Sequence, residues 1–177
     1  VSPKSVVMRG PPDSKGVRMA LTGGSMMTTL SDSQMNILGN VEALQTVRGD
    51  KPLRITSEKG VFSGQSWETH FVGNVIMQVD EFNVWAPQAD FQFDKTKNII
   101  VSVVMNGGVK IADPKKKATS DHLMVNFLDN KYILTGNPRV EQEGDELLGE
   151  QITFLDGGKR VKVEKANVRV MEESKPK

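Results

Sequence analysis

The sequence predicts an all-β domain built as a jelly roll of repeated antiparallel hairpins, and three observations carry that prediction. A short pattern of apolar residues, a Gly-Asn step and further apolar residues recurs at Ile37–Val41, Phe71–Met77 and Tyr132–Val140, with a looser copy at Val104–Ile111. Its key residues Gly39, Gly73, Gly107 and Gly136 stand 34, 34 and 29 residues apart, and a recurring period of that size marks repeat architecture. The flanking residues alternate with a period of two, the signature of half-buried strands, and no segment holds a helical period. Short strands with one apolar face must bury that face, in a sandwich, a closed barrel or a jelly roll. The regular spacing of the hairpins fits the jelly roll best.

Taken in order, residues 1–16 carry Pro3, Pro11 and Pro12 and read as an irregular lead-in. Val17–Leu21 alternates and stops at Gly23-Gly24, a short first strand, and Met26–Leu30 reads as either a second strand or a loop. The repeats follow, with Ile37, Val41 and Ala43 on one face of the first copy and Phe71, Val75, Met77 and Val79 on one face of the second. The third gives Val103, Met105, Val109 and Ile111, and the fourth Tyr132, Leu134, Pro138 and Val140. In each copy the glycine falls on the apolar parity, where it makes interior room, lets the strand bend, or simply permits a bulge. Between the copies lies a second kind of strand: Phe91 with Phe93, Leu123 with Val125 and Phe127, Ile152 with Phe154, and a weaker version at Lys59–Phe62. The unit is therefore strand, turn at the Gly-Asn step, strand. Gly, Asn and Asp cluster at Val47–Pro52, Asp94–Asn98, Asp113-Pro114, Asp129-Asn130, Glu143–Asp145 and Asp156–Gly158, as tight turns require. About a dozen or more strands of roughly 5–6 residues fit. Residues 17–171 are thus expected to form one domain and the charged residues 172–177 a flexible tail.

Composition excludes several function classes. The 177 residues are 37% hydrophobic and 25% charged with a net charge of +1, which argues against nucleic-acid binding. Lys115–Lys117 is the one basic run and reads as a solvated loop. There is no cysteine, hence no disulfide framework and no thiolate metal site. No stretch reaches the ~18 apolar residues of a membrane span. No export signal or anchor is present at Val1, and the missing initiator Met reads as a processed or trimmed chain. The two histidines, His70 and His122, read as structural. Ser120-Asp121-His122 puts triad residues in a row, but neighbours in a strand point to opposite faces and cannot form a relay. No phosphate-binding loop, nucleophile elbow or dinucleotide fingerprint occurs. The expectation is a protein without catalytic residues, metal or cofactor.

The segment from Tyr132 to Val170 resembles the periplasmic lipopolysaccharide-transport bridge family, the LptA/OstA-like proteins. The resemblance rests on Leu134–Asn137, the Gln/Glu-rich strand after it, Gly149–Phe154, a Gly-Gly turn and a closing Lys-Arg-Val strand, and extends over residues 34–170. Leu38–Phe62 is more similar to the related LptC component, which shares the fold and carries an N-terminal membrane helix. Pro138 stands where the family usually has Val, and Gly107-Gly108 replaces Gly-Asn.

The resemblance implies a slightly open, twisted β-jelly roll in the periplasm, which holds the acyl chains of lipopolysaccharide in an apolar interior. It also implies partners of the same fold joined edge to edge, and head-to-tail self-association. Burying a methylene contributes roughly 0.8 kcal/mol, so one acyl chain gains on the order of 10 kcal/mol gross in such a trough. The expected groove residues are Val41, Val61, Phe71, Val75, Met77, Phe91, Phe93, Val109, Ile111, Leu123, Val125, Phe127, Leu134, Val140, Ile152 and Phe154. Arg54, Lys110 and Arg139 are expected to meet lipid phosphates near the opening. The alternatives are the periplasmic part of an LptC-like anchored partner and a structural β-repeat module with a dry, filled core.

Overall fold

A strand with one apolar face gains nothing from that face until a second layer covers it, and here the covering layer is supplied by the same strands bent over on themselves. The structure, a computed structural model, describes residues 6–12, 18–29, 31, 33–47, 51–79, 81–97, 99–165 and 167–169. Among them are fifteen strands. The first three are β1 (Val6–Pro12), β2 (Arg18–Gly23) and β3 (Ser25–Thr29). Six long strands follow: β4 (Gln34–Val47), β5 (Lys51–Ser63), β6 (Glu68–Val79), β7 (Phe82–Asp94), β8 (Ile99–Ala112) and β9 (Lys116–Asn126). The last six are β10 (Lys131–Thr135), β11 (Arg139–Gln142), β12 (Asp145–Leu148), β13 (Gln151–Leu155), β14 (Arg160–Glu164) and β15 (Asn167–Arg169). Every described pairing is antiparallel, and consecutive long strands are hydrogen-bonded neighbours from β4 to β9.

The Gly-Asn steps do not reverse the chain. They are bulges inside long strands, which corrects the expected strand–turn–strand unit. Gly39-Asn40 faces the single residue Glu58, Gly73-Asn74 faces Pro87, and Gly107-Gly108 faces Asp121. Two residues against one bend the strand sharply. Both residues of each pair take positive φ, for example 83° at Gly73 and 46° at Asn74, a region that Gly and Asn tolerate and other residues avoid. At the fourth step the bend becomes a break. Gly136-Asn137-Pro138 separates β10 from β11, yet both pair with β9, one on each side of Asp121. The four steps therefore align into a corner that crosses the sheet and divides it into two leaves. One leaf holds β3, β10, β13 and β14. The other holds β1, β2, β11, β12 and β15, and each of β4–β9 runs through both.

Each bulge also resets which side chains face inward. In β4 and β6 the odd-numbered residues face inward on both sides of the bulge, as with Phe71, Val75 and Met77. The strands opposite must switch parity. In β5, Leu53, Ile55 and Ser57 are buried before Glu58, and Gly60 after it. In β7 the buried set changes from Val84 and Ala86 to Ala89, Phe91 and Phe93, and in β9 from Ala118 and Ser120 to Leu123, Val125 and Phe127. Val61 is the residue that sequence parity misplaced: the switch at Glu58 turns Gly60 inward and leaves Val61 outside the core. The repeated glycines are displaced too. Gly39 and Gly107 are exposed at the corner rather than lining the interior.

The lead-in also differs from expectation, because Val6–Pro12 is strand β1, paired with β2. Among the described strands it lies at the end of the order, a position that tolerates the missing N–H groups of Pro11 and Pro12. The expected tail, residues 172–177, lies outside the described residues. Interior packing is dense beneath β4–β8: Ile37, Leu53, Phe71, Val75, Phe91, Val103 and Met105 are almost wholly buried, and Phe71 meets Phe91 edge-on at 5.3 Å.

The corner yields a test. A Cβ at Gly136, where φ is 72°, would lie 2.5 Å from Asp121 Cβ, whereas at Gly108 it would meet nothing within 4 Å. Gly108→Ala is expected to cost about 1 kcal/mol from backbone strain alone, and Gly136→Ala about 2–3 kcal/mol because a clash is added. Urea unfolding of the two variants measures the difference, and equal losses would remove Asp121 from the account of the corner.

Candidate functional site

The two leaves do not close evenly. Where β9, β10 and β13 take over from the middle strands, a cavity of about 440 Å³ remains between them. One wall comes from the leaf beyond the corner: Val47, Met77, Val79, Phe82, Val84, Ile111, Ala118 and Val140. The opposite wall is Leu123, Val125, Phe127, Tyr132, Leu134 and Phe154, with Leu128, Asn130 and Gly157 at the rim. The first wall is made largely of short side chains. It therefore leaves space that Phe71 and Phe91 fill further along the sheet. The volume lies within the usual range of small-molecule sites, which are mostly apolar with a few polar groups.

Two contacts join the leaves across this cavity. Phe82 and Tyr132 stack with ring centres 6.3 Å apart and planes 13° from parallel. Lys116 Nζ sits 5.8 Å from the centre of the Phe154 ring, a cation–π distance. Polar groups are few. Asp113 is the carboxylate of the lining, and its Oδ1 accepts the backbone N–H groups of Lys115 and Lys116 at 2.7 Å each. Lys116 belongs to the basic run read from sequence as a solvated loop, but it opens β9 and lies on the same parity as the buried Ala118 and Ser120.

The expected groove residues divide into two groups. Met77, Ile111, Leu123, Val125, Phe127, Leu134, Val140 and Phe154 line the cavity. Val41, Phe71, Val75, Phe91, Phe93, Val109 and Ile152 sit in the packed interior instead. Val61 joins neither. Period two identifies the inner face but not the gap between facing layers, so it cannot separate these groups.

The three expected phosphate contacts are all on the outer face. Arg54 Nε pairs with Glu42 at 2.7 Å, and Arg139 pairs with Glu141 at 2.8 Å and also with Glu146. Lys110 is exposed beside the inward Val109. Each is adjacent in sequence to an inward residue, and for that reason points away from the cavity. Asp113, Lys116, Phe82 and Tyr132 were not among the expected site residues. Phe82 starts a strand just after a turn, and Lys116 is charged, so neither gave a periodic apolar signal.

No group of three or more metal-ligating side chains occurs among the described residues. His70 Nδ1 lies 2.5 Å from Asp90 Oδ1 and His122 Nδ1 lies 2.8 Å from Asn106 Oδ1, both pairs on the outer face and apart from the cavity. No described helix is long and apolar enough to cross a membrane.

Residues 54–156 match the family described as LptA/(LptD N-terminal domain) LPS transport protein. No curated protein sequence matches the chain. Among solved structures it is similar to LptH of Pseudomonas aeruginosa, the LptA-homologous periplasmic component of that organism's conserved lipopolysaccharide transport device. That likeness has a TM-score of 0.62 at 14% identity and covers 68% of this chain and 96% of LptH. It supports a shared fold.

The contrast between the packed interior and the cavity wall is measurable. Phe91→Ala removes a fully buried ring that packs on Phe71 and is expected to cost about 3–5 kcal/mol. Phe154 borders the cavity and is only half-buried, so Phe154→Ala is expected to cost less than half as much. Thermal unfolding of both variants checks the order, and a reversal would mean that the wall at Phe154 is packed.

Proposed function

The chain belongs to the LptA/LptD N-terminal domain family of lipopolysaccharide transport proteins, and on that premise we propose that it carries lipopolysaccharide through the periplasm, with acyl chains held in the cavity between its leaves. The observation that carries this reading is an apolar space lined from both leaves and bordered by Phe82, Tyr132 and Phe154. Hydrocarbon needs no catalytic group to be held there, because each buried methylene contributes roughly 0.8 kcal/mol. The protein acts as a carrier and performs no chemical step. Passing cargo onward requires only a similar apolar space next to this one. The strand edges without a neighbour among the described residues suit that arrangement. β3 and β14 lie at the ends of one leaf, and β1 and β15 at the ends of the other. Each offers backbone groups to a partner of the same fold or to another copy of the chain, edge to edge or head to tail.

Within this reading, Met77, Ile111, Leu123, Val125, Phe127, Leu134, Val140 and Phe154 touch the acyl chains. Val41, Phe71, Val75, Phe91, Phe93, Val109 and Ile152 hold the leaves in place.

Site-specific photo-crosslinking with lipopolysaccharide tests the proposal. A photoreactive amino acid at Phe127 or Phe154 is expected to label lipid, while one at Asn126, whose neighbours Val125 and Phe127 point inward, is expected not to. Labelling at Phe93 as well would extend the acyl path into the packed interior. Equal labelling at Asn126, or none at any position, would overturn the carrier reading in favour of a dry β-repeat module.

A further inference from the structure

The inner face of β9 carries one charge where the pattern calls for an apolar residue. Lys116 precedes Ala118 and Ser120 on the buried parity, half-buried at the cavity wall, while Lys117 alternates outward. Its ammonium group makes no ion pair among the described residues. Among the described residues it lies over the face of Phe154, contributed by the other leaf. Asp113, the carboxylate nearest in the chain, directs Oδ1 to the N–H groups of Lys115 and Lys116 and so is engaged in closing its own turn. The other candidate cations are withdrawn from the cavity. Arg54 and Arg139 are paired with carboxylates on the outer face, and Lys110 faces solvent there. A positive charge against an apolar space, in no ion pair among the described residues and backed by an aromatic ring, is suited to an amphiphile that is anionic at one end.

We propose that Lys116 is an anion-accepting subsite at the cavity wall, which takes the phosphate of an amphiphile whose hydrocarbon lies between the leaves. This rests on the cavity being an acyl-chain site and adds a selection rule to it. A lysine ammonium acts as a point charge with three donors, so it accepts phosphate without the fixed geometry that Arg imposes. The Phe154 contact holds the ammonium in place before the ligand arrives. A phosphate at the wall exchanges a cation–π contact for a charge-assisted hydrogen bond. Because the hydrocarbon and the phosphate are bound by different groups, the two contributions separate experimentally.

The test uses the whole chain with three probes, each below any micelle-forming concentration: dodecyl phosphate, dodecyl maltoside and inorganic phosphate. Binding is followed by displacement of an apolar fluorescent dye and by calorimetry. The unmodified chain is expected to bind dodecyl phosphate more tightly than dodecyl maltoside, and inorganic phosphate alone is expected neither to bind measurably nor to displace the dye. Lys116→Met is expected to weaken dodecyl phosphate by roughly tenfold to a hundredfold relative to dodecyl maltoside, the size of one charge-assisted contact, with dodecyl maltoside as the baseline for the altered wall. Lys116→Arg is expected to retain the preference, and added salt to reduce it. If Met perturbs folding, Lys116→Gln carries the same comparison.

Undiminished dodecyl phosphate binding by the charge-removing variant would overturn the subsite while leaving the cavity reading intact. So would inorganic phosphate binding as tightly as the amphiphile, which would mark an anion site independent of the cavity. Failure of both amphiphiles to bind the unmodified chain would overturn the cavity reading, and the subsite with it.

Discussion

The structure depends on the mutual covering of two apolar faces that belong to the same strands. A long strand with one apolar side has no stable existence alone, and neither does a flat sheet of six such strands. Bending every strand at the same level solves the problem without a second set of elements. In β4, β6, β8 and at the break between β10 and β11 the corner is made by two consecutive residues at positive φ, Gly-Asn three times and Gly-Gly once. Hydrogen bonds from side chain and backbone reinforce the corner. Asn74 Nδ2 donates to Glu58 Oε1 at 2.5 Å, and Asp121 N–H donates to Gly136 O at 2.8 Å. Burial then follows, because only a bent sheet puts Ile37, Phe71 and Met105 inside together.

The same device determines where the site can form. Over the middle strands large side chains such as Phe71 and Phe91 interdigitate and are almost wholly buried. Beyond the break at Gly136-Asn137-Pro138 the two leaves no longer share continuous strands. β10 and β13 lie on one side, and β11 and β12 on the other. The layers are free to separate there, and the short side chains Val79, Val84, Ala118 and Val140 do not fill the gap. Space, apolar walls and the inward ammonium of Lys116 thus share one origin, the point at which the fourth corner becomes a chain break.

Much of this was legible in the sequence. Period-two alternation placed Phe71, Val75, Phe91, Leu123, Val125, Leu134 and Ile152 on the inner face, where they are buried. The spacing of the Gly-Asn steps disclosed the repeat. Three things were not legible, for physical reasons. A Gly-Asn pair supports either a two-residue hairpin or a bulge, and only strand pairing decides between them. A bulge in one strand switches parity in its neighbour, so Val61 could not be placed from its own surroundings. Packing against a facing layer is a long-range property, so the division between filled interior and cavity was hidden, and with it the roles of Phe82, Tyr132 and Lys116.

Each of β4–β9 passes through the corner as unbroken chain, while the ladder hydrogen bonds are already interrupted there by the bulges. The corner is thus a hinge axis crossing the strands, with its compliance concentrated along one line. Rotation about that axis widens or narrows the gap between the leaves and leaves the ladders on both sides intact. Such opening is resisted by the packed interior beneath β4–β8 and, across the gap itself, by Phe82 on Tyr132 and Lys116 on Phe154. The two wall contacts stand several residues from the corner, Lys116 five before Asp121 and Tyr132 four before Gly136, and so act on the gap with a longer lever than residues beside the bend.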